Sequence, residues 1–113
     1  MAGRVIDLDS SSAALGEGGA LFEGEHLGLV RRSVPPGGRL RLSAGEREEQ
    51  VWLALSGRGR YRPDPMVDGA PAEPFVPGQA AVLREGEWAE VECVGDRPLE
   101  LVGVAAPQPG TTA

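Results

Sequence analysis

The residues best suited to chemistry in this sequence form a short acidic run. Residues 46–49 read Glu-Arg-Glu-Glu and are followed by Gln50. A carboxyl enclosed in an apolar barrel is harder to ionise, because desolvation disfavours its charged form, and it can then serve as a general acid or base. Glu46 and Gln50 are therefore candidate catalytic residues. The alternative for Glu46, which the charge run itself favours, is a solvated glutamate in a loop.

The chain contains one histidine and one cysteine. His26 is a third candidate catalytic residue, because an imidazole can transfer protons near neutral pH. A lone histidine near the start of a strand is more often a surface or edge residue. Cys93 lies in an apolar stretch, where an inert thiol is expected. A single cysteine allows neither an internal disulfide nor a cysteine-based zinc motif, which suits a reducing cytoplasm.

Short runs of alternating apolar residues, bounded by glycine and proline, recur along the chain, whereas helical periodicity is hard to find. The 17 glycines and 10 prolines follow no period and suit many short strands joined by tight turns. The prolines between Pro63 and Pro77 predict a loop or an edge excursion, because proline cannot donate to a central ladder. We predict strands near Arg4–Leu8, Ala20–Phe22, His26–Ser33, Arg39–Ser43, Gln50–Leu55, Gly59–Arg62, Ala80–Leu83, Ala89–Val94 and Leu99–Ala105.

Length and composition are those of an ordinary soluble domain, with 113 residues, 41% of them hydrophobic and 25% charged. We expect one domain over residues 1–106 and a flexible tail over residues 107–113. The N-terminus lacks a signal-peptide pattern, and no apolar run approaches the ~20 residues of a membrane span, so we expect a cytoplasmic protein. The net charge of −6 leaves no basic face for nucleic acid.

The predicted strand Gln50–Leu55 has no plainly solvent-facing side. Val51, Leu53 and Leu55 share one face, because side chains alternate along a strand, and the residues between them share the other. We predict that one face lines a barrel and that the other contacts a second subunit in a homodimer. The alternative is that the chain's own N-terminal strand covers Val51, Leu53 and Leu55.

From Gly38 onwards the sequence resembles the cupin superfamily. That family's first motif, G-x5-H-x-H-x3-4-E-x6-G, is matched in its glycine scaffold from Pro36-Gly37-Gly38 to Ser56-Gly57-Arg58-Gly59. The second motif, G-x5-P-x-G-x2-H-x3-N, is matched around Pro77-Gly78 and on to Ala89. The resemblance covers residues 27–105 and implies an all-β fold, the cupin-type double-stranded β-helix or jelly-roll barrel.

The metal ligands of the family are replaced in this chain. Counted from Gly38, the ligand positions fall on Ala44, Glu46, Gln50, Ala89 and Cys93. Counted from Gly37, the first two become Ser43 and Gly45. A catalytic transition metal usually needs three imidazole, carboxylate or thiolate ligands around one point. We therefore expect no bound metal and no other cofactor.

The same resemblance implies an apolar chamber with few polar groups, which suits a small-molecule ligand. The alternative is that Trp52 and its neighbours fill the interior as core, as in other small jelly rolls. The residues expected to line the chamber, in addition to Glu46 and Gln50, are Leu40, Leu42, Trp52, Ala54, Tyr61, Leu83, Ala89, Val91 and Cys93, with Trp88 at the rim.

Several functions compete on this basis. One is a metal-independent isomerase, cyclase or dehydratase, similar to cupins with incomplete metal sites that accompany natural-product pathways. Another is a non-catalytic module that senses or carries an apolar metabolite. A structural or partner-binding role with a filled barrel is the third, and a metal-dependent cupin enzyme comes last. We predict a metal-independent cupin that binds a small apolar molecule, with neither nucleic acid nor membrane as a partner.

Overall fold

The structure, a computed structural model, describes residues 5–6, 8, 18–63 and 71–106. No helix in these ranges is long and apolar enough to cross a membrane. The strands in these ranges are β1 (Gly18–Glu23), β2 (Gly28–Val34), β3 (Arg39–Ser43), β4 (Glu49–Ser56), β5 (Gly59–Pro63), β6 (Glu73–Phe75), β7 (Ala80–Leu83), β8 (Trp88–Cys93) and β9 (Leu99–Ala106).

The strands form two antiparallel sheets. One has the order β1-β2-β9-β4-β7 and the other has the order β3-β8-β5-β6. Strands distant in sequence are neighbours, since β2 pairs with β9 and β3 pairs with β8. The predicted all-β jelly roll is confirmed, and β1 and β3 each lie at an edge of their sheet.

One buried cluster joins the inner faces of the two sheets. In β8 every second residue is fully enclosed, with Ala89 and Val91 at 0% exposure and Cys93 at 1%. The facing sheet contributes Leu99 and Leu101, which are also at 0%. Burying a side chain of the size of valine or leucine contributes about 1.5 to 3 kcal/mol, so this cluster holds the sheets together.

Strand β4 places its two faces in different surroundings. Trp52 and Ala54 are 6% exposed and belong to the buried cluster, which confirms that their face is the inner one. On the outer face Val51 is 38% and Leu53 is 40% exposed, and Val82 of the adjoining β7 is 59% exposed. The homodimer that would cover this face stays a prediction.

The predicted strands agree with the observed ones except near the N-terminus. His26 lies in the turn between β1 and β2, because the Gly24 N–H donates to the Leu27 carbonyl at 2.9 Å and closes the hairpin there. Val5 and Ile6 of the predicted strand Arg4–Leu8 are not in a strand, and Arg4 and Asp7 lie outside the described residues.

The proline-rich segment contains one short strand, β6. It pairs only with β5 and is the edge of its sheet, which agrees with the predicted loop or edge excursion. Residues 64–70 of this segment, and residues 107–113 at the C-terminus, lie outside the described residues.

Candidate functional site

Two adjoining cavities open between the sheets on the side of β1. The first, which we call the inner cavity, has a volume of about 300 Å³ and is bounded by β1, β2, β4 and β9. The second, which we call the vestibule, has a volume of about 540 Å³ and lies between the edge strands β1 and β3. The two cavities share four lining residues: Ala20, Val30, Gln50 and Trp52.

The buried carboxylate of the site belongs to Glu48. Its side chain lines the inner cavity, and the residue is only 6% exposed. A turn over residues 45–48 places it there: the Glu48 N–H donates to the Gly45 carbonyl at 3.3 Å, and the Gly45 N–H donates back to Glu48 Oε1 at 2.8 Å. Arg47 closes the turn with a φ of 59°, a left-handed conformation that is rare for a residue with a side chain.

Glu48, Gln50 and Trp52 are linked by hydrogen bonds along the inner side of β4. The Trp52 indole Nε1 donates to Gln50 Oε1 at 2.9 Å, and Gln50 Nε2 donates to Glu48 Oε1 at 2.8 Å. The same Nε2 also donates to the Ser43 carbonyl at 2.8 Å, which ties β4 to the end of β3. The chain of donors fixes the orientation of the Gln50 amide and holds one carboxylate and one amide at the wall of an apolar cavity.

Gly103 makes room for the Trp52 ring. The two residues are directly paired in register between β4 and β9. A Cβ atom on residue 103 would lie 2.7 Å from both Cε3 and Cζ3 of the indole, closer than carbon atoms can approach. Glycine at this position therefore allows the ring to lie against the backbone of β9, where it forms part of the wall of both cavities.

The structure brings three of the expected residues to the site. Gln50 and Trp52 line both cavities, and Leu42 lines the vestibule. Trp88, expected at the rim, is half-buried, and the Arg41 guanidinium lies over its ring at 3.9 Å from the ring centre. Arg41 itself lines the vestibule.

Glu46 and His26, the other two candidate catalytic residues, lie outside both cavities. Glu46 is exposed and lines neither cavity, because the turn at 45–48 ends the alternation of β4 at Glu48. The alternative of a solvated loop glutamate is the observed one. The His26 side chain is 84% exposed, lies 3.8 Å from Glu25 in the hairpin turn and lines neither cavity.

Four other residues expected at the pocket are core residues. Leu83, Ala89, Val91 and Cys93 are at most 2% exposed and line neither cavity. The Cys93 thiol donates to the Arg97 carbonyl at 3.1 Å, so its hydrogen bond is made within the core and not toward a cavity. The half of the interior formed by β7 and β8 is thus filled with side chains, and the open half lies against β1, β2 and β9.

Tyr61 lies apart from the site. It packs edge-on against Phe75, with ring centres 5.9 Å apart, and lines a different cavity beside β6 and β7. Burial raises the pKa of Tyr61 above its ordinary value, with smaller contributions from the negative charges of Glu87 and Glu73. The phenol is therefore neutral at physiological pH.

The donors at the site do not suit a transition metal. Ala44 and Ala89, at two of the family's histidine positions, are buried and carry no donor atom. Glu23 and Glu48 supply two carboxylates and Gln50 an amide, short of the three imidazole, carboxylate or thiolate ligands that such a site requires. Across the described ranges, no three histidine, cysteine, aspartate or glutamate side chains gather in a metal-binding group.

Sequence reasoning missed Glu48 and Gly103. The alternation of β4, followed backwards from Trp52 through Gln50, indicates Glu48 as the next inward residue. Gly103 is a glycine inside a predicted strand, a signal of close approach by another group. Both signals were present in the sequence.

Solved structures resemble this chain over most of its length. A conserved protein with a double-stranded β-helix domain from Klebsiella pneumoniae has a TM-score of 0.78 at 18% identity, over 98% of this chain and 95% of that one. A protein from Bacillus halodurans has a TM-score of 0.75 at 24% identity, over 88% and 76%. An RmlC-like cupin from Shewanella frigidimarina has a TM-score of 0.65 at 14% identity, over 82% and 77%.

The sequence comparisons are negative, since no protein-family model and no curated protein matches. The assignment therefore depends on the two-sheet architecture and on its structural neighbours, which are cupin or double-stranded β-helix proteins. The chain has the fold of a small cupin domain, a double-stranded β-helix.

Proposed function

We propose that the protein binds a small molecule with an apolar body in the inner cavity, without using a metal. The observation that carries this proposal is the inner cavity itself, with its volume of about 300 Å³. Small-molecule sites are typically concave, largely apolar and equipped with a few convergent polar groups. Here the polar groups are Glu48, Gln50 and, at the margin, Glu23.

The wall of the inner cavity favours an apolar ligand. Phe22, Val30, Val104 and the Trp52 ring line it, so a ligand that covers them removes apolar surface from water. Each Å² so covered contributes roughly 25 cal/mol. Glu48 adds selectivity, because its carboxylate oxygens accept hydrogen bonds and favour a ligand that carries a hydroxyl or amine donor.

A fragment screen followed by nuclear magnetic resonance tests the proposal. Ala105 lines the inner cavity, whereas its neighbour Ala106 is exposed and lines neither cavity. We expect apolar fragments to shift the amide signals of β2, β4 and β9 in the wild type and in Ala106→Phe, and to lose at least tenfold in affinity in Ala105→Phe. Equal binding to all three proteins would place the ligand elsewhere and refute the proposal.

A second candidate function is proton transfer at a bound substrate, of the isomerase, cyclase or dehydratase kind. The specific observation that favours it is the burial of Glu48 beside the cavity, with its Oε1 held by the Gly45 N–H and by Gln50 Nε2. A carboxylate held at a fixed point of a largely apolar cavity can take a proton from a ligand carbon or oxygen and return it elsewhere.

Hydrogen–deuterium exchange on the bound ligand separates enzyme from binding module. A ligand with an acidic C–H bond, incubated in D₂O with the protein, should incorporate deuterium if Glu48 acts as a base. Glu48→Gln would then slow incorporation about 10²- to 10⁴-fold while ligand affinity changes little. Tight binding without any exchange in the wild type would support the binding module and refute catalysis for that ligand.

A further inference from the structure

We propose that the ligand is an anion, an apolar molecule whose carboxylate binds between Arg32 and Arg41 in the vestibule. This inference rests on the proposed function, because it specifies the chemical class of the ligand of the same site. It is carried by the position of two arginines on opposite sheets and by their lack of carboxylate partners within the described part of the chain.

On β2, two consecutive arginines face opposite sides of the sheet. Arg31 is 4% exposed and pairs with Glu100, with Nη2 3.2 Å from Oε2. Arg32 points the other way, lines the vestibule, and forms no ion pair with any residue that the structure describes. The paired arginine is thus the one away from the cavity, and the unpaired one faces it.

On β3 a paired and an unpaired arginine lie on the same face, because they are two residues apart. Arg39 lies 3.6 Å from the carboxylates of both Glu90 and Glu92. Arg41, two residues further along, lines the vestibule and pairs with no carboxylate among the described residues. Its guanidinium instead lies 3.9 Å from the centre of the Trp88 ring, a contact that favours one orientation of the side chain.

Unpaired arginines are common among the described residues, where only Arg31 and Arg39 pair with a carboxylate. Arg32 and Arg41 differ in that both line the vestibule, in a chain with a net charge of −6. Acidic residues outnumber arginines, 17 to 11, so carboxylate partners are plentiful. Two arginines that line one opening and pair with none of the described carboxylates leave guanidinium donors available to a ligand there. A guanidinium presents donors in a planar fork that fits a carboxylate, so the vestibule suits an organic acid.

The charges also set the direction in which the ligand lies. Glu23 and Glu48 line the inner cavity and would repel a carboxylate placed there, whereas the vestibule offers two cations. Gln50 and Trp52 border both cavities, so one molecule can extend from one to the other. We place the carboxylate outermost and the apolar body against Trp52.

Matched pairs of ligands test the inference. The probes are 3-phenylpropanoate, 3-cyclohexylpropanoate and 2-naphthylacetate, each compared with its primary amide, which has nearly the same shape and no charge. Exposed ion pairs are individually weak, so we expect the acids to bind about three- to tenfold more tightly than the amides at low ionic strength. Added salt should reduce this preference, because the arginines are exposed.

Substitutions show which side chains cause the preference for acids over amides. Arg32→Gln combined with Arg41→Gln should abolish the preference for acids and leave the affinity for amides within about twofold. Arg39→Gln, on the same strand as Arg41 but already paired with glutamates, is the matched control and should retain the preference. Retention of the preference in the double variant would overturn the assignment to Arg32 and Arg41.

The outcomes for this inference and for the proposed function are distinct. Amides that bind as tightly as acids in the wild type would overturn the anionic ligand and leave the binding function standing. Failure of both members of all three pairs to shift any signal from the cavity walls would overturn both. Acids that bind with unchanged affinity in Ala105→Phe would show that their apolar body does not enter the inner cavity, which overturns the proposed path from the vestibule into that cavity.

Discussion

Replacing Gly103 with alanine should displace the Trp52 ring and so change the wall of both cavities. The added Cβ would lie 2.7 Å from Cε3 and Cζ3 and 2.8 Å from Cδ2 of the indole. Trp52 is 6% exposed and borders both cavities, so its ring can relieve the clash only by shifting into the space that it lines. Overpacking of this kind costs about 1 to 3 kcal/mol, and losing the bond from Trp52 Nε1 to Gln50 adds about 0.5 to 1.5 kcal/mol.

The expected loss is therefore about 1.5 to 4.5 kcal/mol of the free energy of unfolding, or about 1 to 2 M in the urea midpoint at a denaturant slope of about 2 kcal/mol per M. Trp88→Phe leaves Trp52 as the single tryptophan, so its emission reports on the ring directly. Gly95→Ala is the matched control, because a Cβ there meets its nearest atom at an ordinary 3.7 Å.

A double-mutant cycle adds a stricter test of the same contact. Trp52→Leu should remove most of the cost of Gly103→Ala, because the clashing ring is gone. If Gly103→Ala keeps the wild-type stability and the Trp52 emission, the proposed clash with the indole does not exist. The same conclusion follows if Gly103→Ala lowers the free energy of unfolding by as much in the Trp52→Leu protein as in the wild type.

Three further predictions concern other parts of the fold. Arg47→Gly should raise the free energy of unfolding by about 0.5 to 1 kcal/mol in urea titrations, because glycine adopts the left-handed conformation without strain; a loss would contradict this. Since the pKa of Tyr61 is raised in the folded state, the unfolded chain loses the proton first, so stability should fall as pH rises above about 10. Tyr61→Phe should weaken that fall in urea titrations across pH 9 to 11. Leu53→Glu should convert the predicted homodimer to a monomer in sedimentation experiments, and a monomeric wild type would refute the dimer.

The strands were predictable because their signals are local. Alternation in β3, β7 and β9 and the glycines at the turns depend only on adjacent residues, and the structure agrees with them to within a residue. The turn at residues 45–48 was not predictable in the same way. It requires Arg47 in a left-handed conformation without a glycine or asparagine at that position, and it ends the alternation so that Glu48 faces inward and Glu46 does not.

The shape of the interior depends on contacts between distant strands, which the sequence pattern does not specify. Ala89 was expected beside an open chamber, but neighbouring core side chains fill the space around it. The two unpaired arginines form a site only because the edge strands β1 and β3 flank one opening. That juxtaposition follows from the jelly-roll topology and not from the spacing of Arg32 and Arg41 in the chain.

A crystal structure of the protein with its tightest-binding acid would show directly where the ligand lies. We expect density that runs from the vestibule into the inner cavity, with the apolar body against Trp52 and the carboxylate between Arg32 and Arg41. Density beside Tyr61 or on the outer face of β4, with both cavities holding only solvent, would contradict it.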